Sequence, residues 1–307
     1  MILVSYLLKF RNNDVSRETM KRKKDKLLLV GKDYLVSQKS FKIYWDSQQK
    51  LGWTDIDLAS NMDYYYASEV YDSHKVKQKS FWDWVYKTLQ QWMFRYKWRK
   101  IMQKSKSTIS THLDYGGGVG GFSTFTQKKG ITTTIVEKSS GALTQLKKEQ
   151  QRVYSNLEEI PSEEKFDLIT LWHVLEHLPD PKETIQNLKG RLTTKGLLVL
   201  AVPNLNSFDA NHYQEFWAGY DLPRHLWHFS NKGLQKIIQN IGFSLISKHP
   251  LYFDSFYVSM LSQLHKTGET QVLKAIYIGL ISNIKAMKKG NYSSSFFVFS
   301  KSDSFLT

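Results

Sequence analysis

The stretch "THLDYGGGVGGFSTFTQ", Thr111 to Gln127, decides the fold. Its opening residues read as a short buried strand, its glycines as a tight turn, and the rest as a helix. A glycine run has mechanical meaning in that setting. It permits left-handed backbone and lets a ligand approach the main chain at a helix start. The next segment, "TTTIVEK" (Thr132–Lys138), is a β-branched strand that ends in an acid, Glu137, 21 residues after Gly116. A carboxylate there can accept hydrogen bonds from ribose hydroxyls.

The alternation continues outward from this pair. Helices are predicted over Ser140–Gln150, Lys182–Leu192 and Asn231–Phe243, and strands over Arg152–Asn156, Lys165–Trp172, Gly196–Asn204 and Ser293–Lys301. Strand and helix in turn predict an α/β, doubly wound, mainly parallel sheet spanning 108–307. Residues 204–229 are aromatic and turn-rich and read as a lid over the sheet's carboxyl edge. Residues 253–292 read as a helical insertion. Residues 1–107 form a basic N-terminal α+β extension. Within it, Tyr34–Trp45 is expected as a strand or hairpin arm. Phe81–Met102 is expected as an amphipathic helix burying Phe81, Trp84, Val85, Leu89, Trp92, Met93 and Tyr96.

Composition narrows the classes. No apolar run approaches the roughly 18 residues of a membrane-spanning helix. "MILVSYLL" (Met1–Leu8) lacks the basic lead-in and cleavage site of a secretory signal. The absence of cysteine excludes disulfides and thiolate metal sites and fits a reducing, cytoplasmic setting. The net charge of +15 is uneven: residues 1–107 carry 22 Lys/Arg against 11 Asp/Glu, and residues 108–307 carry 21 against 17. Patches such as "KRKKDK" (Lys21–Lys26) and "FRYKWRK" (Phe94–Lys100) suit nucleic acid or a peripheral anionic membrane contact. A solvated basic face is the simpler reading.

A second stretch needs separate treatment. "WHVLEHLPDP" (Trp172–Pro181) contains His173, Glu176 and His177 in the H-x-x-E-H order of a class of zinc peptidases. Such a site needs both histidines on one face of a helix. Pro179 and Pro181 oppose a long helix here, and the glycine loop has no role in a peptidase. No metal site is expected.

Two cofactors fit the glycines alone. Gly116, Gly118 and Gly121 satisfy G-x-G-x-x-G, a dinucleotide pattern that would make the chain a nicotinamide dehydrogenase. Asp114, Gly116, Gly118 and Gly120 satisfy D-x-G-x-G-x-G, with Gly117 and Val119 between. That pattern resembles motif I of the class I S-adenosylmethionine-dependent methyltransferases. The acid favours it, because a pyrophosphate would repel Asp114, whereas an amino group and a sulfonium would not. The block "FDLITLWHVLEHLPDP" followed by "GLLVLAVPN" also resembles the fourth and fifth strands of that superfamily, in small-molecule methyltransferases of the ubiquinone-biosynthesis type. Pro203–Ser230 resembles an uncharacterised bacterial branch.

The resemblance implies a Rossmann-like seven-stranded sheet and S-adenosyl-L-methionine as cofactor. It implies Asp114, Gly116, Gly117, Gly118 and Gly120 at the methionine end, Glu137 at the ribose, Asn156 and Leu157 beside adenine, and Trp172 and His173 facing the reacting centre. Phe41–Asp55 resembles the family's zinc ribbon without its cysteines, so no zinc is expected there. Tyr64–His74 resembles a segment that could reach the mouth of the site. His173, His177 and His225 are candidate bases, because imidazole titrates near neutrality. Arg224 is a candidate anchor for an acidic acceptor. The expected reaction is methyl transfer to a small-molecule or lipid-like acceptor. A nucleic-acid methyltransferase using the basic N-terminal region and a non-catalytic S-adenosylmethionine-binding protein stay open beside it.

Overall fold

The computed structural model describes residues 25–57, 62–66, 81–149 and 151–302. "MILVSYLL", most of "KRKKDK" and the larger part of Tyr64–His74 lie outside the described residues.

A seven-stranded sheet organises the chain. Its parallel strands are β4 (Thr111–Tyr115), β5 (Thr132–Val136), β6 (Val153–Tyr154), β7 (Phe166–Trp172) and β8 (Leu192–Pro203). Two antiparallel strands, β10 (Phe243–Pro250) and β11 (Ser294–Lys301), complete it in the order β10-β11-β8-β7-β4-β5-β6. Strand β10 has no sequence signal: it is an edge strand whose residues after Phe243 are exposed or half-buried without alternation. The run that predicts β8, from Gly196, starts four residues late.

Alternation along the strands sends successive side chains to opposite faces. Leu113, Ile169, Leu171, Leu198, Leu200, Phe297 and Phe299 pack on one face with Ile185, Leu188, Leu234 and Ile238. Leu168, Leu197, Val199, Ala201, Phe296 and Val298 pack on the other. The long helix Phe81–Met102 covers that second face with Phe94, Tyr96 and Ile101. This corrects the expected register in part: Tyr96 is buried as expected, and the side chains of Phe81, Trp84 and Val85 lie outside the described residues. Leu89 and Trp92, assigned to the buried face, are 42% and 47% exposed. The sheet selects the stripe around Phe94 instead.

Strands β1 (Lys26–Lys32), β2 (Ser40–Asp46) and β3 (Leu51–Asp55) form a separate antiparallel sheet. Its fourth strand is β9 (Trp227–Phe229), which comes from the segment 204–229 expected as a lid and pairs with β3. The N-terminal residues and the lid therefore share one sheet. The helical residues after β10 are two helices, Asp254–Thr267 and Val272–Lys289, packed on each other.

Candidate active site

In the strand order, β5 lies on one side of β4 and β7 on the other. The crossover direction reverses there, and an α/β sheet opens its ligand crevice at the carboxyl ends of such strands. The glycine loop and the "WHVLEH" turn meet at that point. A Cβ on Gly116 would lie 2.4 Å from Val174 Cγ2.

The glycine side is held mainly by backbone. Gly116, Gly118 and Gly120 have φ of 73°, 55° and 76°, and Gly120 starts the helix Gly121–Gln127. Glycine is needed at these left-handed positions because a Cβ strains them. At Gly118 a Cβ would meet nothing within 4 Å among the described residues, so this part of the loop faces open space. Glu137 closes the loop from β5. Its Oε2 accepts from Gly118 N at 2.8 Å, and its Oε1 accepts from Lys138 N and Ser139 N at 2.8 and 2.7 Å.

Asp114 sits elsewhere than expected. It is 1% exposed, and its two oxygens accept hydroxyls from Ser123 and Thr170, both at 2.6 Å. It shapes the loop from beneath and does not face the crevice. Asn156 caps the short turn Leu157–Glu159, accepting from Glu159 N at 3.2 Å, and Leu157 is buried in the core behind it. Trp172 packs edge-to-face on Phe122 and Phe296, with ring centroids 5.1 and 5.6 Å away. Its buried Nε1–H has no partner among the described residues.

Lys97, which the sequence reading missed, places its ammonium 3.8 Å from the Trp172 ring centroid. Burial pushes its pKa down to about 8, while Asp254 and Asp114 pull it back up.

The turn after β7 gathers the histidines. Asp180 caps the next helix by accepting from Glu183 N at 2.9 Å, with Pro181 in its first turn, so "LPDP" is a helix start. Residues Leu175–His177 make a single 3₁₀ turn. His173, at φ 55°, lies between two carboxylates: Nδ1 is 3.3 Å from Glu176 Oε1, and Nε2 is 3.1 Å from Asp254 Oδ2. Burial disfavours its charged form, but hydrogen bonds to Asp254 and Glu176 outweigh that and raise its pKa to about 10. An imidazolium held in this way offers no lone pair at neutral pH.

His177 faces the lid. Its Nδ1 is 3.0 Å from the Arg224 carbonyl oxygen and 3.2 Å from the Tyr66 hydroxyl. Burial first, and then His225, push its pKa down to about 4. His225 is buried with Nδ1 2.9 Å from Gly219 O, and its ring lies 4.5 Å from that of His177. His173, Glu176, His177 and His225 thus form one cluster, with Tyr66 joining it from the segment Tyr64–His74 and Asp254 as a partner not anticipated from sequence.

Arg224 is not available to a substrate. It is 1% exposed and bonded to Asp33, Asp221, Tyr65 O and Leu222 O. Asp33, fully buried, also accepts from Leu35, Val36 and Ser37. His228 is likewise structural, 2.9 Å from the Thr54 hydroxyl.

A family described as "Methyltransferase domain" matches residues 89–248, just over half of the chain. The chain belongs to the class I S-adenosylmethionine-dependent methyltransferases. The methyltransferase is similar in structure to a Galdieria sulphuraria chain described as a sarcosine dimethylglycine methyltransferase, at 16% identity over 70% of this chain and 86% of that one, TM-score 0.48. It is also similar to phosphoethanolamine N-methyltransferase 2 of Haemonchus contortus, solved with S-adenosyl-L-methionine, at 17% identity over 66% and 52%, TM-score 0.45. A third is coclaurine N-methyltransferase bound to N-methylheliamine and S-adenosylhomocysteine, at 14% identity over 69% and 72%, TM-score 0.46. None of these speaks to the acceptor. No curated protein matches the methyltransferase's sequence. Among the described residues, no helix of the methyltransferase is long and apolar enough to cross a membrane.

Proposed function

We propose that this methyltransferase transfers a methyl group to a lipid-like or other small-molecule acceptor met at an anionic membrane surface. One observation carries the membrane side of this reading. The helix Val272–Lys289 turns Ala275, Ile278, Gly279, Ser282 and Ala286 inward. On its outer side Leu273 is 85% exposed, Met287 74% and Tyr277 61%, with Ile276, Leu280 and Ile284 about half exposed. Lys274, Lys285, Lys288 and Lys289 are exposed beside them, and the helix contains no Asp or Glu. An apolar stripe edged by lysine suits a helix lying in the plane of anionic headgroups.

The crevice fits the cofactor on its own geometry. Gly118 leaves space where any other residue would add a side chain, and Glu137 stands beside it as an acceptor. We assign the ribose hydroxyls to Glu137, the methionine end to Gly116, Gly117, Gly118 and Gly120, and the adenine side to Asn156 and Leu157. Trp172 and His173 border the reacting centre, and Asp114 holds the loop's shape. When bound, S-adenosyl-L-methionine supplies an electrophilic methyl on a sulfonium. The chain's part is to align an acceptor lone pair with that methyl and exclude water. His173, with both N–H groups given to Glu176 and Asp254, acts there as a fixed part of the wall.

The test is flotation of the full chain with vesicles. It should rise with phosphatidylglycerol-containing vesicles and not with pure phosphatidylcholine. The triple variant Leu273→Glu/Tyr277→Glu/Met287→Glu should lose at least about tenfold in vesicle affinity while binding S-adenosylhomocysteine as the wild type does. Equal flotation of variant and wild type would contradict the membrane reading.

A further inference from the structure

The turn after β7 and the lid meet at three side chains far apart in sequence. Glu176, His177 and His225 each offer one ligand atom, and these atoms lie within 4.8 Å of one another. Glu176 is 1% exposed, and its Oε2 has no hydrogen-bond partner among the described residues. A bare carboxylate oxygen at that depth is costly unless a cation meets it.

Both imidazoles are already oriented by backbone carbonyls, His177 Nδ1 by Arg224 and His225 Nδ1 by Gly219. A carbonyl oxygen only accepts, so Nδ1 carries the proton in each neutral ring and Nε2 keeps the lone pair. This is how outer-shell carbonyls fix the tautomer of a metal-ligating histidine. His225 Nε2 lies 4.0 Å from Glu176 Oε1 and 3.9 Å from Asp221 Oδ2. These separations are too long for hydrogen bonds and within reach of atoms sharing one ion about 2 Å from each.

We propose that Glu176, His177 and His225 bind a divalent transition-metal cation of the zinc class, with Asp221 as the nearest further oxygen. Two imidazoles and a carboxylate suit zinc, whereas magnesium prefers oxygen ligands and its own water. The ion would clip the lid to the strand-end turn. Leu226 N already donates to Glu176 O at 2.8 Å there. His173 is not a ligand, because both its ring nitrogens are committed to Glu176 Oε1 and Asp254. The H-x-x-E-H pattern thus contributes its last two residues, and His225 stands where the motif alone would put His173.

The test uses the tag-free full chain, stripped with a chelator and titrated calorimetrically with Zn²⁺, with Co²⁺ absorption as a second readout. One equivalent of Zn²⁺ should bind, and Mg²⁺ should bind at least about 100-fold more weakly. His225→Ala and Glu176→Gln should each lower Zn²⁺ affinity by at least about 100-fold, beyond the loss typical of an outer-shell change. His173→Gln, which removes only an outer-shell partner of Glu176, should cost clearly less, on the order of 10-fold. Circular dichroism and S-adenosylhomocysteine titration report separately whether each variant is folded and whether the cofactor site is intact. Absence of stoichiometric Zn²⁺ binding to the wild type would overturn the proposal whatever the variants do. So would unchanged affinity in a folded His225→Ala or Glu176→Gln protein, or a loss in His173→Gln equal to theirs.

Discussion

The two walls of the crevice are built from different materials. On the glycine side, the parts are backbone conformation and main-chain N–H groups: three left-handed glycines, an open Gly118, and Glu137 accepting three amides. On the lid side, the parts are paired side-chain charges, buried or half-buried. Arg224 holds Asp33 and Asp221. Asp209, fully buried, accepts from Trp217, Ser282 and Ser293, and Glu176 and Asp254 hold His173. A conformational wall fails by sterics. A charged wall fails when a partner is removed or when pH changes.

The largest expected effect lies on the charged wall. Arg224→Met leaves Asp33 buried without its cation and should cost about 3–5 kcal/mol in urea unfolding, because breaking one side of a buried pair strands the other. A cost under about 1 kcal/mol would mean the network is not holding the lid.

The glycine wall should give a graded pair. Gly116→Ala meets both a φ of 73° and a Cβ 2.4 Å from Val174, so about 2–4 kcal/mol is expected from strain and overpacking together. Gly118→Ala meets only the backbone penalty, about 1–2 kcal/mol. Thermal melts of the two variants should therefore separate clearly, and equal melting points would break the distinction.

The smallest effect is a pH signature confined to the lid side. His173 has its folded pKa raised to about 10, so its stabilising contribution is complete below the unfolded value near 6.5 and is lost as pH rises towards 10. His177 has its folded pKa lowered to about 4, so its contribution is present above 6.5 and is lost as pH falls towards 4. In melting-temperature profiles, His173→Gln should flatten the alkaline limb and His177→Gln the acid limb. A profile for His173→Gln parallel to the wild type would show that the clamp by Glu176 and Asp254 is not felt.

The same contrast explains how much of the molecule is legible in its sequence. Asp114 to Glu137 is local: strand, turn, helix and acid follow within 24 residues, and each residue type has one reason to be there. The sheet followed from the same alternation, apart from the edge strand β10, whose half-buried residues carry no period. The lid side depends on pairs with no local signal. Asp33 and Arg224 are 191 residues apart, and Asp254 reaches His173 from the start of another helix. An arginine in an aromatic loop reads as a substrate anchor, because nothing local hints that an aspartate in the N-terminal sheet claims it. The helix 81–102 shows a third kind of loss. Its aromatics occupy more than one face, so only the sheet it packs on decides that Phe94 is inward and Trp92 outward.

The central claim is that the glycine wall, closed by Glu137, holds S-adenosylmethionine. The most direct test is calorimetric titration of the full chain and Glu137→Ala with S-adenosylhomocysteine. Binding of one equivalent to the wild type, weakened at least about 100-fold in a folded Glu137→Ala protein, is the predicted result, since the variant removes the carboxylate proposed to hold the ribose and its bond to Gly118 N. No binding to the wild type, or equal binding to both proteins, would contradict it.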